Sequence, residues 1–307
     1  TWPLPRLQHA HALRVAQRVH LPLHRRRLRA VPMQLLVDAV AVLVPLPDDV
    51  TAAVSENWSD GAMGFGNVDG TQYGVPDKTD LKSLVWYQPA RFEANGYKVP
   101  TTLDELFGLA ETMIADGNTP FCIGIESGTA TGWTFTDWVE DMVLRDSGPE
   151  VYDQWVANEV KFTDQPIIDA FDATGEYLLN PEYVNAGFGD VQSINSTEFG
   201  DPAAALVSGE CALHHQASFF TGFIEDAGGT VAEDGDVWAF IMPGQTAGAP
   251  AVTGGGEIVG AFNDESDTQA VLEYLSSPEW ANNRVSLGGV ISANTGLDPA
   301  NASSGIL

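Results

Sequence analysis

The chain reads as an α/β fold, on three observations. Amphipathic stretches with helix-capping signals alternate with short apolar runs from Pro45 onward, and Gly, Pro and Asn punctuate the joins. The 307 residues are 44% hydrophobic, enough for one large core or two smaller ones. No run of 18 apolar residues occurs, so nothing reads as a membrane span. In chain order, Thr102-Leu103-Asp104-Glu105 is a capping box followed by Leu106, Phe107, Ala110, Met113 and Ile114 at helical spacing, which predicts a helix over 102–115. Residues 121–126 read as a short buried strand. Thr136 then caps a helix whose Trp138, Val139, Met142 and Val143 share a face. Pro149 and Pro166 occupy first-turn positions of two more helices, and Asp201-Pro202 opens another that stops at Gly209. Strands are predicted at 211–215, 237–242 and 258–262, and a helix pair at 266–276 and 278–286. There is no internal repeat.

Forty-two acids face 14 Lys and Arg, a net charge of −28, which disfavours nucleic acid and anionic lipid as partners. The total hides a split. Residues 1–45 hold seven Arg against Asp38, net +6, whereas residues 46–307 hold seven bases against 41 acids, net −34. The first segment also carries His9, His11, His20 and His24 and the run Arg25-Arg26-Arg27. It matches neither a Ser-rich transit peptide nor a secretory signal, because the apolar stretch 35–44 is interrupted by Asp38 and leads into Pro45. Its composition is that of GC-rich DNA read out of frame. Residues 1–44 are therefore expected to be an anomalous basic segment, out of frame or disordered, with the folded body following.

Catalytic and cofactor motifs are scarce. Gly254-Gly255-Gly256-Glu257 lacks the Lys-Ser/Thr of a phosphate loop and precedes a strand, so it reads as a glycine-rich crossover. His214 and His215 are adjacent and point to opposite faces of a strand, which argues against a metal site. No nucleophile elbow is present. Asp137, Glu140 and Asp141 lie close together as a glycosidase pair would, yet in so acidic a chain they also read as capping and solvated charge. Trp133 and Trp138 flank the turn 127–132 after a strand, where α/β folds place ligands. For either tryptophan alone a core position is the simpler reading; as a cluster they favour a polar, uncharged ligand stacked on a ring. Cys122 and Cys211 read either as two buried thiols or as one disulfide, and the bridge is the expected state for an exported chain.

The stretch from Tyr73-Gly74-Val75-Pro76-Asp77-Lys78-Thr79-Asp80 through Leu84-Val85-Trp86-Tyr87, with Gly96-Tyr97, Pro100-Thr101-Thr102, Gly132-Trp133, Asp137-Trp138, Gly209-Glu210-Cys211-Ala212-Leu213 and Gln216-Ala217-Ser218-Phe219, resembles the family 1 extracellular solute-binding proteins of sugar ABC transporters. The segments around Cys122 and 211–219 are most similar to the α-glucoside-binding branch. Similarity runs from about Pro45 to about Asn294. It implies a periplasmic-binding-protein type II-like α/β fold, two lobes with a hinge, closing on a saccharide. On that mapping, residues 45–85 hold a remnant of the N-terminal lobe and the first crossing, 86–253 the C-terminal lobe, and 254–307 the return crossing with N-lobe helices. The rest of the N-terminal lobe and the closing helices are expected to be missing. The resemblance assigns Lys78 and Asp80 to sugar hydroxyls at the hinge, Trp133 and Trp138 to stacking, and Asp137, His215, Gln216, Gly255 and Glu257 to the cleft. No catalytic residue, metal or cofactor is expected. The implied partners are an oligosaccharide or disaccharide and the permease subunits, with the protein a monomer outside the membrane. The alternatives are a glycoside hydrolase using acids near Asp137 and Glu140, or a non-functional gene fragment.

Overall fold

A computed structural model describes residues 42–187, 190–248 and 250–302; the basic segment expected to be anomalous lies, up to residue 41, outside the described residues. Two short helices, α1 (Asp48–Asn57) and α2 (Asp60–Gly64), precede a hairpin of β1 (Asn67–Val68) and β2 (Thr71–Gln72). Then follow β3 (Gly74–Leu81), β4 (Leu84–Tyr87), α3 (Pro89–Asn95), α4 (Leu103–Ala115), β5 (Phe121–Cys122), α5 (Trp133–Asp146), α6 (Gly148–Val156), α7 (Gln165–Leu178) and β6 (Val184–Asn185). The chain continues through α8 (Pro202–Ser208), β7 (Leu213–His215), α9 (Phe220–Asp226), β8 (Trp238–Ile241), β9 (Gly254–Gly260), α10 (Ser266–Leu275) and α11 (Pro278–Ser286). Among the described residues no helix is long and apolar enough to cross a membrane.

Local chemistry accounts for most boundaries. Thr102 Oγ1 accepts from Glu105 N at 3.2 Å and so caps α4, while the Glu105 carboxylate accepts from Thr101 N at 2.7 Å, one residue earlier than the box requires. Gly96 and Gly209 end α3 and α8 in the left-handed conformation that glycine tolerates. Three expectations are corrected. Helix α5 begins at Trp133 because Gly132, at φ 102°, turns the chain there; Thr136 lies inside the first turn and donates to Trp133 O. The strand expected over 121–126 pairs as a ladder only at 121–122, after which the chain hydrogen-bonds irregularly to residues 194 and 197. The return strand covers 254–260, not 258–262, so the three glycines lie within it.

Five strands form one sheet in the order β6-β5-β7-β4-β8, with β5 parallel to β6 and β7, and β4 antiparallel to both β7 and β8. The two-residue period sorts its side chains between faces. Val85, Phe121 and Leu213 join the larger core with Leu106, Trp138 and Ile167 from α4, α5 and α7. Trp86 and Cys122 join a second core with Leu206, Phe220 and Ile224 from α8 and α9. The Cys122–Cys211 disulfide, Cα atoms 5.4 Å apart, lies in that second core. A third cluster, Leu46, Val50, Val54, Trp58, Val75 and Leu272 among it, draws on α1 and α10 from opposite ends of the described chain.

Between the third cluster and the five-stranded sheet runs an antiparallel ribbon, β3 against β9, in which Lys78 faces Glu257, Thr79 faces Gly256 and Asp80 faces Gly255. A bulge at Asp77 breaks the register, and Trp280 Nε1 donates to its carboxylate at 2.8 Å. The ribbon needs its glycines: a Cβ at Gly256 would sit 2.5 Å from Lys78 O, so the strands approach too closely for a side chain there.

Candidate functional site

The site is built where the ribbon meets the sheet. Helix α5 places Trp133, Asp137, Asp141 and Arg145 at successive i, i+4 positions, in one row along a single face. The row descends from a half-buried Trp133 to Asp137, and then to Asp141, which is fully buried. From the end of β3, Lys82 reaches across to this row. Its Nζ lies 2.8 Å from Asp137 Oδ1 and 5.6 Å from the centre of the Trp133 ring, the geometry of an ion pair combined with a cation–π contact. Gly255 makes room for that reach, since a Cβ there would come within 2.9 Å of Lys82 Cε.

A second lysine mirrors the first. Lys78 Nζ lies 3.3 Å from both Asp80 Oδ2 and Glu257 Oε1, and 5.7 Å from the centre of the Phe219 ring. The rings of Trp133, Phe199 and Phe219 stand 5.2 to 6.3 Å apart, all half-buried, and form an aromatic wall with the two lysine ion pairs along its flank. Such a wall can cover the apolar face of a sugar ring while the flanking charges bond the hydroxyls at its edge.

Behind the wall, Asp141 is a buried hub. Its Oδ1 accepts from Ser83 Oγ at 2.6 Å and lies 3.2 Å from Arg145 Nη2; its Oδ2 accepts from His215 Nε2 at 2.7 Å. Ser83 Oγ in turn accepts from Thr253 N at 3.0 Å. Ser83 follows β3 and Thr253 precedes β9, so Asp141 fastens both ribbon strands where they enter the sheet. Arg145 adds bonds to the carbonyls of Met242 and Ala251. Reading Asp137 and Asp141 as solvated charge is thus overturned: both are buried, and apart from Arg145, one turn along the same helix, the partners named here (Lys82, Ser83 and His215) lie at least 55 residues away in sequence.

Burial raises the pKa of Asp137, and Lys82 opposes that rise. Burial also raises Glu140, whose Oε2 accepts from Tyr152 Oη at 2.9 Å. Asp137 and Glu140, the pair considered for hydrolysis, are therefore each committed to a neighbour. Among the described residues no group of three or more His, Cys, Asp or Glu is gathered as a metal site would require.

The structure brings Trp133, Asp137, Gly255, Lys78, Asp80 and Glu257 to the wall and its flank. It puts Trp138, His215 and Gln216 elsewhere. Trp138 is 3% exposed, packed edge-on against Phe121 and 4.6 Å from the His215 ring, so it has no free face for stacking. Gln216 is buried and its Oε1 accepts from Ala217 N. His214 does point away from His215: its Nδ1 donates to Cys122 O, and burial pulls its pKa down to about 3, which keeps it neutral. Sequence reading assigned no role to Lys82, Ser83 and Phe199. Lys82 stands inside the quoted motif, whereas nothing local marks Phe199.

Residues 30–282 match the family model of the bacterial extracellular solute-binding proteins. The chain belongs to that family. The match begins at residue 30, ahead of the Pro45 boundary drawn from sequence, and so includes part of the segment set apart there. Among curated relatives, the osmoprotective compounds-binding protein GgtB of Synechocystis sp. is 38% identical over 265 residues, 83% of this chain and 60% of that protein. The alpha-glucosides-binding periplasmic protein AglE of Rhizobium meliloti is 40% identical over 253 residues, 78% of this chain and 54% of that one. The chain thus spans between 54% and 60% of the length of these two relatives. Among solved structures, a chitin oligosaccharide binding protein superposes with a TM-score of 0.71 at 21% identity, over 88% of this chain and 66% of that one. The bacterial solute receptor AcbH gives 0.69 at 20% identity, over 90% and 68%. These likenesses establish the fold, the α/β architecture of periplasmic sugar-binding proteins.

Proposed function

We propose that this chain carries the sugar-contacting face of an extracellular receptor that delivers an α-glucoside to the permease of an ABC importer. The observation that carries the reading is the half-buried aromatic wall of Trp133, Phe199 and Phe219, flanked by Lys82–Asp137 and by Lys78 with Asp80 and Glu257. A saccharide lies with a CH face on Trp133 and its hydroxyls toward Asp137, whose Oδ2 has no partner among the described residues. Two relatives, one binding alpha-glucosides and one osmoprotective compounds, support a ligand of this class.

The ribbon β3–β9 is the hinge in this reading, with residues 84–253 as one lobe and the third hydrophobic cluster as part of the other. Ligand bridging the two lobes shifts the population toward a closed form, which the permease reads. Binding, not turnover, is the activity, and the receptor works as a monomer outside the cell membrane. Calorimetric titration of the full chain with trehalose, sucrose and maltose tests this. At least one binds, and Trp133→Ala weakens it by about tenfold or more, the worth of a stacked ring face. Unchanged affinity in Trp133→Ala, release of glucose, or no binding of any of the three would overturn it.

A further inference from the structure

We propose that Asp137 sets the charge selectivity of this site: by neutralising Lys82 it confines the ligand to uncharged glycosides and excludes sugar phosphates and uronates. The inference deepens the sugar-binding reading above and rests on it.

Lysines at a sugar site ordinarily offer a receptor for anions, and this wall has two of them beside its rings. Neither is available. Lys82 is held by Asp137 at 2.8 Å, and Lys78 by two carboxylates, Asp80 and Glu257, at 3.3 Å each. Two positive charges therefore meet three negative ones within one patch. The Asp137 side chain is 7% exposed and its Oδ2 lacks a partner among the described residues, so the pair still seeks a donor and has no use for a further anion. Two further cations are also engaged: Arg91 donates to the carbonyls of Gly209 and Cys211, and Arg145 is buried behind Asp141. The field of residues 46–307, net −34, adds long-range repulsion of anions to this local neutralisation. A hydroxyl donor meets Asp137 favourably; a phosphate or carboxylate meets it as a like charge.

The selectivity has a single removable cause. Asp137→Asn retains an amide oxygen to accept from Lys82 and so keeps the ammonium over Trp133, but it frees the positive charge. The test is calorimetry at low and at physiological salt on the full chain, with trehalose, sucrose and maltose beside trehalose 6-phosphate, sucrose 6-phosphate and maltose 1-phosphate. The native chain binds a neutral sugar at least about tenfold more tightly than its phosphate, and Asp137→Asn raises affinity for the phosphate by about tenfold, an increase that salt reduces. Adding Lys82→Met to that variant abolishes the gain. Glu257→Gln, at an exposed position, frees Lys78 in part and moves selectivity the same way by a smaller factor, which keeps the test open if Asp137→Asn fails to fold. Equal binding of a sugar and its phosphate by the native chain, or no gain in a folded variant, would overturn this inference while leaving the sugar-binding reading intact. Binding of no sugar, neutral or phosphorylated, would overturn both.

Discussion

Asp141→Ala lowers the unfolding free energy by about 3–5 kcal/mol, because it strands a buried guanidinium and removes three hydrogen-bonding and ionic partners at once. The Arg145 side chain is 1% exposed, so its charge has no water to turn to when the carboxylate 3.2 Å away disappears. Burial already presses the Arg145 pKa downward, and Asp141 is the charge that resists it. Ser83 and His215 lose their acceptor in the same step. Domains of this kind have a total stability of roughly 5–15 kcal/mol, so the loss takes a large share of it. Urea unfolding measures it as a fall in midpoint at constant slope. Asp141→Asn, which keeps an acceptor of the same shape, loses less. A loss below about 1 kcal/mol for the alanine variant would mean that the hub is not holding the ribbon to the sheet.

Removing the disulfide has a comparable effect by a different route. Cys122 and Cys211 are 89 residues apart, and closing a loop of that length restricts the unfolded chain by about 4–5 kcal/mol in the chain-entropy account. The folded state changes little, because β5 and β7 already pair at Phe121 and Leu213 and because both cysteines are surrounded by Trp86, Leu206 and Phe220. Cys122→Ala with Cys211→Ala therefore leaves the circular dichroism of the folded chain unchanged and brings the urea midpoint down sharply. Adding a reductant gives the same shift in the native chain and none in the double variant. An equal midpoint with and without the bridge would contradict this.

The sequence made local features legible and long-range ones not. Thr102, Pro166 and Gly209 mark helix ends through backbone groups a few residues away, so α4, α7 and α8 are readable from the chain alone. The apolar runs around residues 121 and 213 announce strands for the same reason. Asp141 shows why, because burial is not a local property: an acid between Glu140 and Met142 reads as solvated in sequence, whereas in the fold Ser83, His215 and Arg145 converge on it. The aromatic wall shows the same limit. Trp133 stands beside a turn signal, whereas Phe199 joins it from a segment 66 residues further along that carries no signal at all. Trp138 illustrates the converse: five residues beyond Trp133, about 1.4 helical turns, it falls on a different face of α5 and its ring is in the core. The role of Lys82 likewise depends on a distant residue, since its side chain passes where a Cβ on Gly255 would stand.

In the proposed complex the sugar sits on Trp133. The indole N–H resonances of the chain's eight tryptophans, followed by nuclear magnetic resonance with 15N-tryptophan labelling during titration with the α-glucoside that calorimetry selects, test it most directly. Assigned through a Trp133→Phe variant, the Trp133 signal shifts most and saturates with the calorimetric affinity, while that of the buried Trp86, whose Nε1 donates to Gln216 O, moves little. A bound sugar that leaves the Trp133 signal where it was would contradict the account.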